Sequence, residues 1–96
     1  MTQKLKQRVE SYIAKTRRVL EEIRLKKPYQ PLSNNLINEF MDHVRRYVED
    51  AEFYLEKEDL ETALASISYC EGLLDALKLL GIAEFNWPKI ISPITP

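Results

Sequence analysis

The stretch Asp50–Gly81, DAEFYLEKEDLETALASISYCEGLLDALKLLG, constrains the fold more than any other part of the chain. Its apolar residues recur every three or four positions, the spacing of one helix face, and the polar run EKED breaks that rhythm once. The pattern predicts the end of one helix, a short polar turn, and another helix that stops at a glycine. A turn this short makes the two helices antiparallel neighbours. On the later helix Leu60, Ala63, Ile67, Cys70, Leu74 and Leu77 form the main apolar stripe. Opposite them lie Ala65, Ser68, Tyr69, Gly72, Ala76 and Leu79. A helix resting on a single neighbour needs only one such stripe. Ser68, Gly72 and Ala76 are spaced four apart, which lets another backbone come close. A glycine in mid-helix costs about 1 kcal/mol relative to alanine, and a solvated face gains nothing from that cost. These six residues are therefore the candidate interaction face.

Two further helices complete the pattern. Leu5, Val9, Tyr12, Ile13, Thr16, Val19, Leu20 and Ile23 share one face of a helix expected over about 2–26. Proline cannot donate a helical bond and biases the residue before it away from helix, so KPYQP at 27–31 ends it. The next helix is expected over about 33–57, with Ser33 or Asn34 as its cap. Its buried face reads Leu36, Ile37, Phe40, Met41, Val44, Tyr47, Val48, Ala51, Tyr54 and Leu55, while Phe53 points outward. The last helix is expected over about 59–80. Asp59 accepts the unpaired N–H groups of its first turn, and Gly81 followed by Ile82 suits a left-handed stop. No strand pattern competes before residue 82. The expected fold is all-α: a three-helix up-and-down antiparallel bundle over 1–81, with an extended C-terminal strap over 82–96.

That strap, IAEFNWPKIISPITP, is too apolar for a free linker, and its three prolines favour an extended path. Phe85 and Trp87 are the candidate anchors. Three coverings of the second stripe stay open: the strap, with Trp87 or Phe85 over Gly72; helix 1 or 2 in an irregular bundle; or another molecule, either a second copy or an unidentified protein partner.

Charge is lopsided. Residues 1–27 hold nine Lys and Arg against three Glu, a net +6, and the remainder holds five against twelve, a net −7. The cations of helix 1 flank its apolar stripe on both sides, where they would meet the acidic helices 2 and 3. That placement favours internal pairing over a nucleic-acid surface, although a basic helix keeps nucleic acid as an alternative. The first ten residues carry no apolar run, so neither a signal peptide nor a membrane span is expected, and a cytoplasmic location is the default.

No catalytic motif is present, and the chain is expected not to be an enzyme and to need no cofactor or metal. One cysteine gives neither an internal disulfide nor a cysteine zinc site. Cys70 lies on the core stripe, where a cysteine acts as a small hydrophobe. His43 is the only histidine, with Glu39 one turn earlier, and a carboxylate bundle metal site would need ligands from several helices. Asp50 and Asp75 border apolar stripes and are expected to pair with Tyr54, Tyr47 or Tyr69. A small-ligand binder or enzyme built on Asp50, Asp75 and these tyrosines is the second alternative, and it would need a concave pocket between helices 2 and 3.

Ala51, Tyr54, Leu55, Asp59, Ala63, Ile67, Tyr69, Gly72, Asp75 and Gly81 together resemble the C-terminal half of a family of short archaeal proteins, domain of unknown function 357. Cys70 stands where that pattern often has alanine. The resemblance implies an archaeal cytosolic protein and a left-handed three-helix bundle, and it implies no activity. The reading that follows is a non-enzymatic helical protein-interaction module that could self-associate through helix 3.

Overall fold

The computed structural model describes residues 2–25 and 33–88. In chain order these form α1 (Thr2–Glu22), β1 (Arg24–Leu25), α2 (Asn34–Glu56), α3 (Leu60–Leu79) and β2 (Ala83–Glu84). The three helices pack on one another as an all-α bundle, with one small two-stranded sheet at the end where α1 and α3 finish.

Each helix end follows from local chemistry. The Ser33 hydroxyl accepts from Leu36 N–H at 3.1 Å to open α2, and the Asp59 carboxylate accepts from Thr62 N–H at 3.3 Å to open α3. At the other end of α3, Ile82 N–H bonds to Leu77 C=O at 2.9 Å and Gly81 N–H to Lys78 C=O at 3.0 Å. Gly81 has φ +75°, and Leu77 and Ile82 are both buried, which completes a Schellman stop. The same bonding ends α2: Asp59 N–H reaches Tyr54 C=O at 2.9 Å and Glu58 N–H reaches Leu55 C=O at 3.0 Å. Here the left-handed residue is Glu58, at φ +62°. A side chain in that region is strained where glycine is not, and the Glu58 carboxylate meets Lys6 Nζ of α1 at 2.9 Å.

The sequence expectation needs correction at the end of α1. Its helix stops at Glu22, and Arg24–Leu25 pairs antiparallel with Ala83–Glu84, Arg24 opposite Glu84 and Leu25 opposite Ala83. The strand therefore lies within the expected helix, and the first residues of the strap are its partner. Gly81 turns the chain back beside the unsatisfied backbone at the end of α1, and pairing satisfies both segments. The expectations for Lys26, for the break at 27–31 and for the strap beyond Pro88 lie outside the described residues.

The core gathers Val9, Ile13 and Val19 of α1 with Ile37, Met41, Val44, Val48 and Ala51 of α2 and with Ala63, Ile67, Cys70, Leu74 and Leu77 of α3. Ile82, Ala83 and Phe85 close it at the strap end. Thr16 is fully buried, and its hydroxyl donates to Tyr12 C=O at 2.9 Å. Leu36 was expected on the buried face of α2 and is 49% exposed, because it sits on the flank of that face rather than along its centre.

Phe85 is a buried ring supplied by a segment with almost no regular structure. Phe85→Ala is expected to lower unfolding free energy by about 3 kcal/mol in a urea titration. Loss of a few tenths only would show that the strap is not part of the core.

Candidate interaction face on the third helix

The main stripe of α3 is buried throughout, as its periodicity predicts. Its opposite side is open. Ala65, Ser68 and Gly72 are exposed and Ala76 is half-buried. Tyr69 is 45% exposed and Leu79 86% exposed. A methyl group added at Gly72 would meet no atom of the described residues within 4 Å. Leu80, which the sequence reading did not single out, is 71% exposed. The run LKLLG carried that information, since three leucines in four positions cannot all reach one core line.

The strap takes another seam. The Trp87 indole N–H donates to the Asp75 carboxylate at 2.5 Å, and Lys15 of α1 lies 5.1 Å from the Trp87 ring centre. Phe85 meets Trp87 edge-on at 5.2 Å, with Lys78 at 5.3 Å from the Phe85 ring centre. Lys15 also lies 3.1 Å from the Glu71 carboxylate and 4.9 Å from the Tyr12 ring centre. The anchors therefore sit between α1 and α3 and leave Gly72 uncovered. Pairing of β2 with β1 draws the chain toward α1, which explains the side chosen.

The expected acid–tyrosine pairs do not form. Asp75 bonds to Trp87 instead, and Asp50 is exposed with no hydrogen bond or ion pair among the described residues. Tyr54 turns its ring edge to Phe53, at 5.3 Å and 78°. Tyr69 bonds to His43 Nε2 at 3.0 Å, and the rings of His43, Tyr47 and Tyr69 form a cluster with centres 4.8 to 5.8 Å apart. His43 thus bonds across to α3. The acids also do not converge: Asp59 caps α3, Asp50 is exposed on α2, and Asp75 holds Trp87. Among the described residues no group of three His, Cys, Asp or Glu side chains is placed to hold a metal. A shallow open groove of about 490 Å³, lined in part by Ile13, Ala14, Arg17, Glu52 and Leu55, lies between α1 and α2, away from Asp75 and the tyrosine cluster.

Cys70 is fully buried, with Sγ 3.6 Å from Val44 C=O. Burial, with lesser help from Asp50 and Glu71, pushes its pKa up to about 11. The thiol is thus protonated at neutral pH and a poor nucleophile.

The cations of α1 are largely engaged. Arg17 grips Glu52 of α2 through two bonds, at 2.6 and 2.8 Å. Lys6 meets Glu58, Lys15 meets Glu71, Arg24 meets Glu84 and Arg18 meets Glu22. Among the described α1 cations, Lys4 and Arg8 have no ion pair.

These observations define an all-α three-helix bundle with residues 82–88 packed against it and an exposed apolar helix face. Residues 11–83 match the family model described as protein of unknown function, DUF357, and the chain belongs to that family. No curated protein and no solved structure matches the chain.

Two outcomes are expected from substitution. In dilute single chains Gly72→Ala should raise stability by about 1 kcal/mol, because within the chain the site is open and alanine favours helix; a lower melting temperature under those conditions would mean that the chain itself fills the space. The Arg17 hydrogen bond holds the Glu52 carboxyl below its ordinary value. Stability from that pair is complete above the unfolded carboxylate pKa and is lost as pH falls through the folded one. Glu52→Gln should therefore cost about 0.5 kcal/mol at neutral pH, a difference that vanishes in acid. An equal difference at both pH values would contradict the assignment.

Proposed function

We propose that the chain is a non-enzymatic helical protein-interaction module whose contact surface is the outer side of α3. One observation carries the reading. Leu79 and Leu80 stand in solvent two turns beyond an open Gly72, while the anchors Phe85 and Trp87 pack elsewhere. A helix that is apolar on both sides is usually buried on both sides. Exposed leucines and a tyrosine around small residues suit a helix partner, since the small positions allow close backbone approach.

Nucleic-acid binding through α1 has less support. Phosphates would have to compete with the carboxylates that already hold Lys6, Lys15, Arg17 and Arg24. Cytoplasmic location and archaeal origin rest on the family resemblance, and no described helix is long and apolar enough to cross a membrane.

The test is site-specific photo-cross-linking. A benzophenone side chain at position 79 should give adducts of discrete mass in extract of the native host, and one at position 8 of α1 should not. Absence of adducts at 79, or the same products from both positions, would contradict the reading.

A further inference from the structure

The open face spans the seam between α2 and α3 rather than α3 alone. His43 bonds to Tyr69 and Cys70 to Val44 C=O, which sets the register of these antiparallel helices. Leu36 then lies level with the last turns of α3, so the exposed apolar strip runs from Tyr69 to Leu80 with Leu36 beside it.

Within the strip, Tyr69 is a fixed projection. Its hydroxyl is bonded to His43 and its ring packs on Tyr47 at 4.8 Å, so burying it would cost little further side-chain entropy. Gly72, one turn later, leaves open space where a side chain would stand. A twofold axis crossing α3 midway between them would set each Tyr69 over the partner's Gly72. That axis also places Ala65 opposite the partner's Ala76, so small residues meet on both sides of it, as a self-complementary contact requires.

The charges share this symmetry. Glu39 and Arg46 are exposed on the outward side of α2, two turns apart, and neither is ion-paired among the described residues. Their midpoint falls beside His43, level with Tyr69. The axis that seats Tyr69 on the partner's Gly72 therefore brings Glu39 alongside the partner's Arg46, and does so twice.

We propose that the outer α2/α3 face binds a second copy of this chain in an antiparallel twofold pair, with Tyr69 seated on the partner's Gly72 and Glu39 paired with the partner's Arg46. This deepens the interaction reading above and rests on it.

Light scattering and sedimentation equilibrium of the full chain should give the mass of two 11.3-kDa chains. Gly72→Leu should give a single-chain mass with unchanged helicity by circular dichroism. Glu39→Arg or Arg46→Glu alone turns two attractions into two repulsions and should raise Kd about tenfold. The combined exchange E39R/R46E should restore the dimer, which a merely altered surface charge would not. A single-chain mass up to about millimolar concentration overturns the proposal. So does a dimer indifferent to Gly72→Leu, or failure of the combined exchange to rescue. A single-chain mass together with cross-links from position 79 to another protein overturns the twofold pair and leaves the interaction reading standing; loss of both removes both.

Discussion

Leu60, Ala63, Ile67, Cys70, Leu74 and Leu77 are buried along one line of α3, and α1, α2 and the strap all lean on that line. Burial of large aliphatic side chains contributes about 1.5–3 kcal/mol each, so this stripe outweighs any single polar contact in the molecule. It also fixes the orientation of α3. Once the stripe faces inward, Gly72, Leu79 and Tyr69 have to face outward. The surface available to a partner is thus a consequence of the core rather than a separate feature.

The two flanks of α3 are treated differently. On the α1 side, Lys15, Glu71 and Asp75 receive the strap, and Trp87 is held by a hydrogen bond and a cation against its ring. On the α2 side, His43, Tyr47 and Tyr69 form an aromatic edge, and Phe85 and Trp87 pack away from it. The choice of flank follows from the short sheet, because β1 belongs to the end of α1. Electrostatics reinforces the same frame. The positive N-terminal segment meets carboxylates on α2, on α3 and in β2, which turns much of the lopsided sequence charge into internal pairs.

Much of this was legible in the sequence. The core line of α3 followed from spacing alone, and both the Asp59 cap and the Gly81 stop from residue type. The small-residue side was legible as a stripe because glycine in mid-helix is costly. Other features depend on tertiary contact and left no local trace. The two-residue strand at Arg24–Leu25 is too short for a period and forms only because Ala83–Glu84 comes back beside it. Glu58 adopts a glycine-like backbone conformation without being glycine, since the turn between α2 and α3 demands it. The Asp75–Trp87 bond replaced an expected tyrosine pairing, because only the folded strap brings an indole to that carboxylate. Asp50 and Tyr54 lie at a plausible helical spacing, yet the Tyr54 ring packs against Phe53.

The central claim is that Phe85 and Trp87 are seated between α1 and α3 and leave the far side of α3 open. Nuclear Overhauser contacts of the single tryptophan test it most directly. The account predicts contacts from the Trp87 indole to Lys15 and Asp75 side chains and none to the Gly72 α-protons. Contacts from Trp87 to Gly72 would show the strap lying over the outer face, and the account would be wrong.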